Sequence, residues 1–273
     1  MPPEPGARRA GRVPTIFAMG GGGFTMEPEN PALDDYVRSL APAREPRICL
    51  LPTAGGDSED QIRRFHTAFS DKLCEPTHIS LFRLGTHPVP LREHLLAQDI
   101  IYVGGGSMIN LLALWRAHGL DEILREAWQS GIVLAGLSAG SMCWFEWGVT
   151  KSVGAPVPAR GLGFLPGSNS VHYDGEPERR PVYLSSVASG AIPPGWAVDD
   201  GAGLLFRGAR PAEVVASRPG ARAYRVRSVA GEAVEEVIEP RLLKAPAHAD
   251  PTAPLAVEEL RALHAARRGR RLD

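Results

Sequence analysis

Residues 131–148 read GIVLAGLSAGSMCWFEWG. The apolar run over 132–137, flanked by glycines, suits a strand buried on both faces of a parallel sheet, and 139–147 can continue as a helix. Between them, Gly136, Leu137, Ser138, Ala139 and Gly140 make a G-x-S-x-G turn. Small residues on either side of the serine let the backbone reverse sharply, so that the hydroxyl projects from the end of the sheet where the next helix begins. A serine held there can attack a carbonyl. The N–H groups and the partial positive charge at the helix start, about half a unit, would stabilise the oxyanion that results. Ser138 is therefore the candidate nucleophile, with the Ala139 N–H as the first oxyanion donor.

The chain leading to this stretch alternates strand and helix. Strands are expected over 13–19, 47–52, 77–84 and 99–103, and helices over 31–40, 59–72, 91–97, 109–118 and 121–130. That alternation predicts an α/β fold: a mostly parallel sheet with helices on both faces, a three-layer sandwich. The first strand runs into Gly20–Gly23, but no Lys-Ser/Thr follows, and Thr25 stands where the third glycine of a dinucleotide pattern would fall. The cluster therefore reads as backbone packed closely at the sheet's C-terminal edge. A second glycine turn, Gly104-Gly105-Gly106-Ser107-Met108, ends the fourth strand. The ends of neighbouring parallel strands share one edge, so Gly105 or Gly106 is expected to supply the second oxyanion donor.

Beyond Gly148 the pattern changes. Residues 149–161 are rich in Pro, Gly and Val and read as a loop, followed by a strand and turn over 162–168 and then Val171-His172-Tyr173-Asp174-Gly175. His172, with strand or loop neighbours, is the candidate general base. The histidines at 66, 78, 87, 94, 118, 248 and 264 lie in expected helices or loops. Arg179 and Arg180 open a helix over 178–189 and could clamp a substrate carboxylate by paired hydrogen bonds. Short strands over 196–200, 203–206, 213–216 and 223–227 close the domain, with a turn at Asp199-Asp200-Gly201 that could face the site. The expected organisation is a disordered segment 1–12, a catalytic domain 13–227, and a C-terminal extension 228–273 with an Ala/Leu/Arg helix over 257–268.

In 273 residues the formal net charge is −1, which gives no reason to expect nucleic acid. Cys49, Cys74 and Cys143 are widely spaced in apolar contexts and resemble thiols of a reducing compartment, the cytoplasm. The N-terminus lacks an apolar h-region, and no stretch approaches the ~20 apolar residues of a membrane span. His66, within an expected helix, has no partner at metal-ligand spacing. An edge strand or the C-terminal helix is where a second copy would pair in a homodimer.

Ser138 needs a base and an orienting acid. An α/β-hydrolase sets further β/α units between nucleophile and histidine, whereas 34 positions of loop and short strand separate Ser138 from His172. The segments GGGGFTMEPENPALDDY, IYVGGGSMINLLALWRAHGLD, AGLSAGSMCWFEWGVT and HYDGEPERRPVY together resemble another group, the peptidase E family of serine peptidases. These are aspartyl dipeptidases related to class I glutamine-amidotransferase-like folds. The likeness covers about residues 13–227. It implies Ser138 as nucleophile, His172 as base, an oxyanion hole from the GGG turn plus Ala139, cleavage of dipeptides with an N-terminal aspartate, and no metal or organic cofactor. Two places depart from the family pattern. Ser107-Met108 follows the GGG turn where Asn-Thr is common, and Lys151 stands near the place where relatives often carry an aspartate after the nucleophile helix. Glu146 is then the expected acid, with Asp174 and Asp200 as alternatives. A cyanophycinase-like β-aspartyl peptidase and an inactive member with a binding role are the other readings. A glutamine amidotransferase would need a cysteine nucleophile, and Cys143 lies five places late.

Overall fold

The computed structural model describes residues 12–70 and 73–244. In chain order its first half holds β1 (Thr15–Met19), α1 (Gly23–Met26), α2 (Ala32–Ser39), β2 (Arg47–Leu51), α3 (Glu59–Ser70), β3 (Glu75–His78), α4 (Leu91–Leu96), β4 (Ile100–Val103), α5 (Met108–Ala117), α6 (Leu120–Gln129) and β5 (Val133–Leu137). Then come α7 (Ala139–Met142), β6 (Phe145–Val153), β7 (Ala155–Arg160), β8 (Leu165–Val171), α8 (Arg179–Ala188), β9 (Gly195–Val198), β10 (Ala202–Arg207), β11 (Arg210–Ala216), β12 (Ala223–Val229), β13 (Glu232–Ile238) and β14 (Arg241–Leu242).

The larger sheet has eight strands in the order β14-β11-β10-β1-β5-β4-β2-β3. The run from β1 to β3 is parallel, while β10 lies antiparallel to β1 and β11 antiparallel to β10. Side chains alternate across a strand, and here the two sets feed two cores. Phe17, Met19, Ile48, Leu50, Ile100 and Tyr102 meet Phe24, Leu33, Val37, Phe65 and Phe69 from α1, α2 and α3. Ile16, Ala18, Cys49, Leu51, Ile101 and Val103 meet Leu95, Leu111, Trp115 and Leu124 from α4, α5 and α6. Each fully buried aliphatic or aromatic side chain contributes about 1.5–3 kcal/mol, so a one-residue slip of any central strand would exchange both sets and is strongly disfavoured. The α/β architecture with helices on both faces is thus observed, with an antiparallel wing added at one edge.

A second sheet of six strands, β13-β12-β9-β8-β6-β7, differs from expectation. The helix expected over 139–147 ends at Met142, and Phe145–Val153 is strand. The segment 149–161, expected as loop, is the β6/β7 hairpin. Phe145 is fully buried and the next residue, Glu146, is exposed, as neighbours in a strand face opposite ways, and the aromatic and β-branched residues of the segment favour strand. Phe145, Leu165, Val171, Trp196 and Val198 from this sheet enter the core shared with α4–α6, while Val149, Ala197 and Val226 pack beneath Tyr183 and Val187 of α8.

The boundary expected at 227 falls inside β12. β13 pairs with β12 from Ala223↔Ile238 to Val229↔Glu232, and β14 joins the larger sheet beside β11. Residues up to Leu242 therefore belong to the two sheets. The expected disordered segment lies, apart from Arg12, outside the described residues, as does the helix expected over 257–268. No helix among the described residues is long and apolar enough to cross a membrane.

Candidate active site

Ser138 leaves β5 with φ 55 and ψ −116, a left-handed conformation that costs a non-glycine residue on the order of 1–3 kcal/mol. Two glycines make the turn feasible. A Cβ on Gly136 would lie 2.1 Å from the Gly140 carbonyl oxygen, and one on Gly140 would lie 2.3 Å from that of Val103. The bend is clamped by the Ser138 N–H donating to Met19 O at 3.2 Å, at the end of neighbouring β1, and by the Met142 N–H donating to Ser138 O at 3.0 Å. Ser138 itself stays partly exposed.

His172 follows β8 and also has positive φ, 52. Its carbonyl accepts from the N–H groups of Gly175 and Glu176, and the next residue, Tyr173, donates its N–H to Val198 O. These contacts aim the imidazole so that Nε2 lies 2.9 Å from Ser138 Oγ. The other ring nitrogen, Nδ1, lies 2.5 Å from Asp200 Oδ1. Asp200 stands in the turn between β9 and β10 and forms an isolated parallel bridge with Gly21. A Cβ on Gly21 would sit 2.1 Å from Asp200 Oδ1, so the glycine run after β1 leaves the space that the carboxylate fills. The side chains of His172 and Asp200 are 12% and 4% exposed, which shields their contact from water.

The expected acid, Glu146, is elsewhere. It is exposed on β6, and its Oε2 accepts from the Gly167 N–H at 3.0 Å. The expectation assumed that the α7 helix continued to Trp147; the strand that replaces it points Glu146 outward. Of the alternatives, Asp200 meets the imidazole, and Asp174 accepts from the Asp200 N–H through Oδ1 at 2.9 Å.

The GGG turn lies against the nucleophile: a Cβ on Gly105 would be 3.2 Å from Ser138 Cβ. The turn is tied to the 3-10 turn after β2 by the Ser107 N–H donating to Ala54 O at 2.8 Å. Gly105 thus lies beside Ser138, which Ala139 follows in the chain, whereas a Cβ on Gly106 would meet Ala54 O at 2.1 Å. Cys143 does not: its thiol is fully buried, donates to Gly140 O, and is pushed well above its ordinary pKa by burial.

The two arginines separate. Arg179 is buried, donates from Nε and Nη2 to Glu176 Oε2 at 3.1 and 2.7 Å, and reaches the Val149 carbonyl. Lys151 joins the same cluster, contacting Glu178 and standing 3.6 Å from Glu176. Burial pushes the Glu176 carboxyl up, but Arg179, His172 and Lys151 together hold it below its ordinary pKa. Arg180 instead pairs with Glu235 Oε2 at 2.6 Å and lies over the rings of Tyr173 and Tyr224, which removes it from the expected clamp. Two further acids surround Asp200. Burial, aided by Asp174, pushes Asp199 up to about 6, and burial likewise raises Glu27. Sequence reasoning missed Glu27, Glu176 and Arg218; nothing in their local sequence marks them, whereas the Asp199-Asp200-Gly201 turn was a usable signal for the acid. Among the described residues no group of three or more His, Cys, Asp or Glu is placed to hold a metal ion.

Comparison with known proteins places this geometry in context. The model of peptidase family S51 matches residues 16–214. The uncharacterized peptidase YgaJ of Bacillus subtilis (strain 168) is 50% identical over 220 residues, spanning 81% of this chain and 95% of the relative. The crystal structure of a peptidase from an acI-B1 actinobacterium superposes with TM-score 0.58 at 19% identity, covering 86% of this chain and 97% of that one. A candidate peptidase E protein from Listeria monocytogenes EGD-e superposes with TM-score 0.55 at 16% identity, covering 73% and 97%.

Proposed function

The chain belongs to peptidase family S51 and is a serine-type peptidase, and from that premise we propose that it hydrolyses short peptides, foremost dipeptides with an N-terminal aspartate, through an acyl-enzyme on Ser138. The observation that carries the mechanism is the chain of contacts from Ser138 Oγ to His172 Nε2 at 2.9 Å and from His172 Nδ1 to Asp200 at 2.5 Å. His172 takes the serine proton as Oγ attacks the peptide carbonyl, and Asp200 fixes the tautomer and stabilises the imidazolium. N–H groups of the Gly105-Gly106 turn and of Ala139 receive the tetrahedral oxyanion; one such donor supplies about 2.7–4 kcal/mol of barrier lowering. The imidazolium then protonates the leaving amine, and water, deprotonated by His172, releases the acyl group.

The aspartate preference rests on the likeness to aspartyl dipeptidases and on the cations beside the base. Arg179 and Lys151 converge on Glu176, whose N–H donates to the His172 carbonyl. A substrate carboxylate entering there would compete with Glu176 for both cations. Cys49 and Cys143, buried as free thiols, support a cytoplasmic setting. The test is hydrolysis of Asp-Leu, Glu-Leu, Leu-Leu and β-Asp-Leu by the wild type and by Ser138→Ala. Asp-Leu cleavage that Ser138→Ala abolishes is the expected result. Undiminished cleavage by that variant would overturn the mechanism, and a preference for β-Asp-Leu would move the substrate to the β-aspartyl class.

A further inference from the structure

The main chain of Asp200 is gripped from both sides by residues remote in sequence. Its N–H donates to Asp174 Oδ1 at 2.9 Å, and its carbonyl accepts from Arg218 Nη2, also at 2.9 Å. The same Nη2 closes the ring by donating to Asp174 Oδ2 at 3.0 Å. Arg218 Nε stands 3.5 Å from Glu27 Oε1, and Ser217 Oγ lies 2.7 Å from Glu27 Oε2. The guanidinium crosses directly over the turn: a Cβ on Gly201, which has φ 80, would fall 2.9 Å from Arg218 Nε.

We infer that Arg218 and Asp174 are positioning residues, which lock the backbone of Asp200 so that its carboxylate meets His172, and whose opposite charges act on that pair. This rests on the Ser138–His172–Asp200 reading. The charged groups facing that pair come from several elements. Asp174 and Glu176 lie on the His172 loop, and Asp199 beside Asp200. Glu27 follows α1, Arg218 follows β11, Arg179 opens α8 and Lys151 is on β6. Arg179 and Lys151 are engaged by Glu176 and Glu178. Among the described residues, Arg218 is the cation whose guanidinium reaches Glu27, Asp174 and the Asp200 carbonyl. The crowding registers at Glu27, which burial raises and Asp200 and Asp174 raise further, against Ser217 and Arg218.

Removing a cation from this group favours the imidazolium, so the neutral base forms only at higher pH; removing an anion does the reverse. A fluorophosphonate reads this out independently of any peptide substrate. Ser138 Oγ bonds to phosphorus, fluoride leaves, and the hydroxyl proton passes to His172. The experiment measures the labelling rate from pH 5 to 9 (about the range in which an imidazole titrates) for the wild type, Arg218→Met, Arg218→Lys and Asp174→Asn. Mass spectrometry locates the label, and thermal melts monitor folding. The acid limb should move to higher pH in Arg218→Met by roughly half a unit or more, with a slower plateau. Arg218→Lys should restore the limb. Asp174→Asn, whose amide oxygen can still accept from the Asp200 N–H, should move it to lower pH. If Arg218→Met does not fold, a limb moved to lower pH in Asp174→Asn beside an unmoved one in Arg218→Lys decides. Limbs that stay at the wild-type pH in every folded variant, while the wild type is labelled on Ser138, would overturn the inference alone. A wild type that is not labelled on Ser138, or is labelled equally fast as His172→Ala, would overturn the triad reading, and the inference would fall with it.

Discussion

Gly21 defines how little room the acid has. With 2.1 Å between an added Cβ and Asp200 Oδ1, Gly21→Ala must push the carboxylate off His172. A misplacement of about 1 Å at a reacting group costs roughly 100-fold in rate. The variant should therefore lose kcat by about that factor while its melting curve shows a folded protein. Asp200→Asn should lower kcat roughly 10³–10⁴-fold by favouring the wrong imidazole tautomer, whereas Glu146→Gln, exposed on β6, should leave it within about twofold; parallel kinetics on the two variants check the assignment. Asp199 carries a pH signature. Its folded pKa, about 6, lies above the ordinary 3.8, so the folded state binds the proton more tightly than the unfolded chain does. Its favourable contribution is complete below about 3.8 and is lost as pH rises through about 6; at neutral pH the buried charge is a cost. Asp199→Asn should consequently be more stable than wild type at pH 7.5, by on the order of 1–2 kcal/mol, with the gap narrowing in urea melts as pH falls from about 6 to 3.8.

At the level of elements, the β12/β13 hairpin reaches the site indirectly. Glu235 on β13 accepts from the hydroxyl of Tyr173 and pairs with Arg180, and Tyr173 follows His172. Truncation after Arg227 would remove β13, β14 and this tie, and the product should fail to fold or melt well below the full chain by circular dichroism. Glu235→Gln keeps the strand and weakens the tie, which should cost about 1–3 kcal/mol in urea unfolding. The C-terminal extension expected from 228 instead continues the two sheets as far as Leu242, which local pattern hides because β13 reads Glu-Ala-Val-Glu-Glu-Val-Ile, a half-exposed edge with polar residues. Local pattern served better where glycine or apolar periodicity marked the chain. The strand-turn-helix around Ser138, the glycine turn beside it and four of the five parallel strands follow from such marks; the remaining strand, expected over 77–84, is Glu75–His78, and Leu81–Arg83 is a 3-10 turn. Residues 143–147 misled because an aromatic-rich run satisfies helix and buried strand alike, and Glu146 was placed on the wrong face as a result. The partnership of Asp200 with His172 spans 28 residues and is fixed by how β8 and β9 lie side by side, a relation no local window contains.

Across the whole molecule, the two sheets are not separate bodies. Ile101 and Leu134 of the larger sheet share one core with Phe145, Leu165 and Trp196 of the smaller one. A common core of this kind unfolds as a unit, so calorimetry should record one transition, and fluorophosphonate reactivity should disappear with it rather than before. Ser138 belongs to the larger sheet and His172 to the smaller. Between β9 in the smaller sheet and β10 in the larger, the chain has only Asp199, Asp200 and Gly201. That bridge has no slack. A single residue inserted into it would have to be absorbed by unpicking one sheet or the other, while the β6/β7 hairpin tip at Gly154, where an added side chain meets nothing within 4 Å, could carry a foreign peptide. The protein is thus wired for grafting after one strand of its smaller sheet and intolerant of lengthening after another, although the two strands run in the same direction.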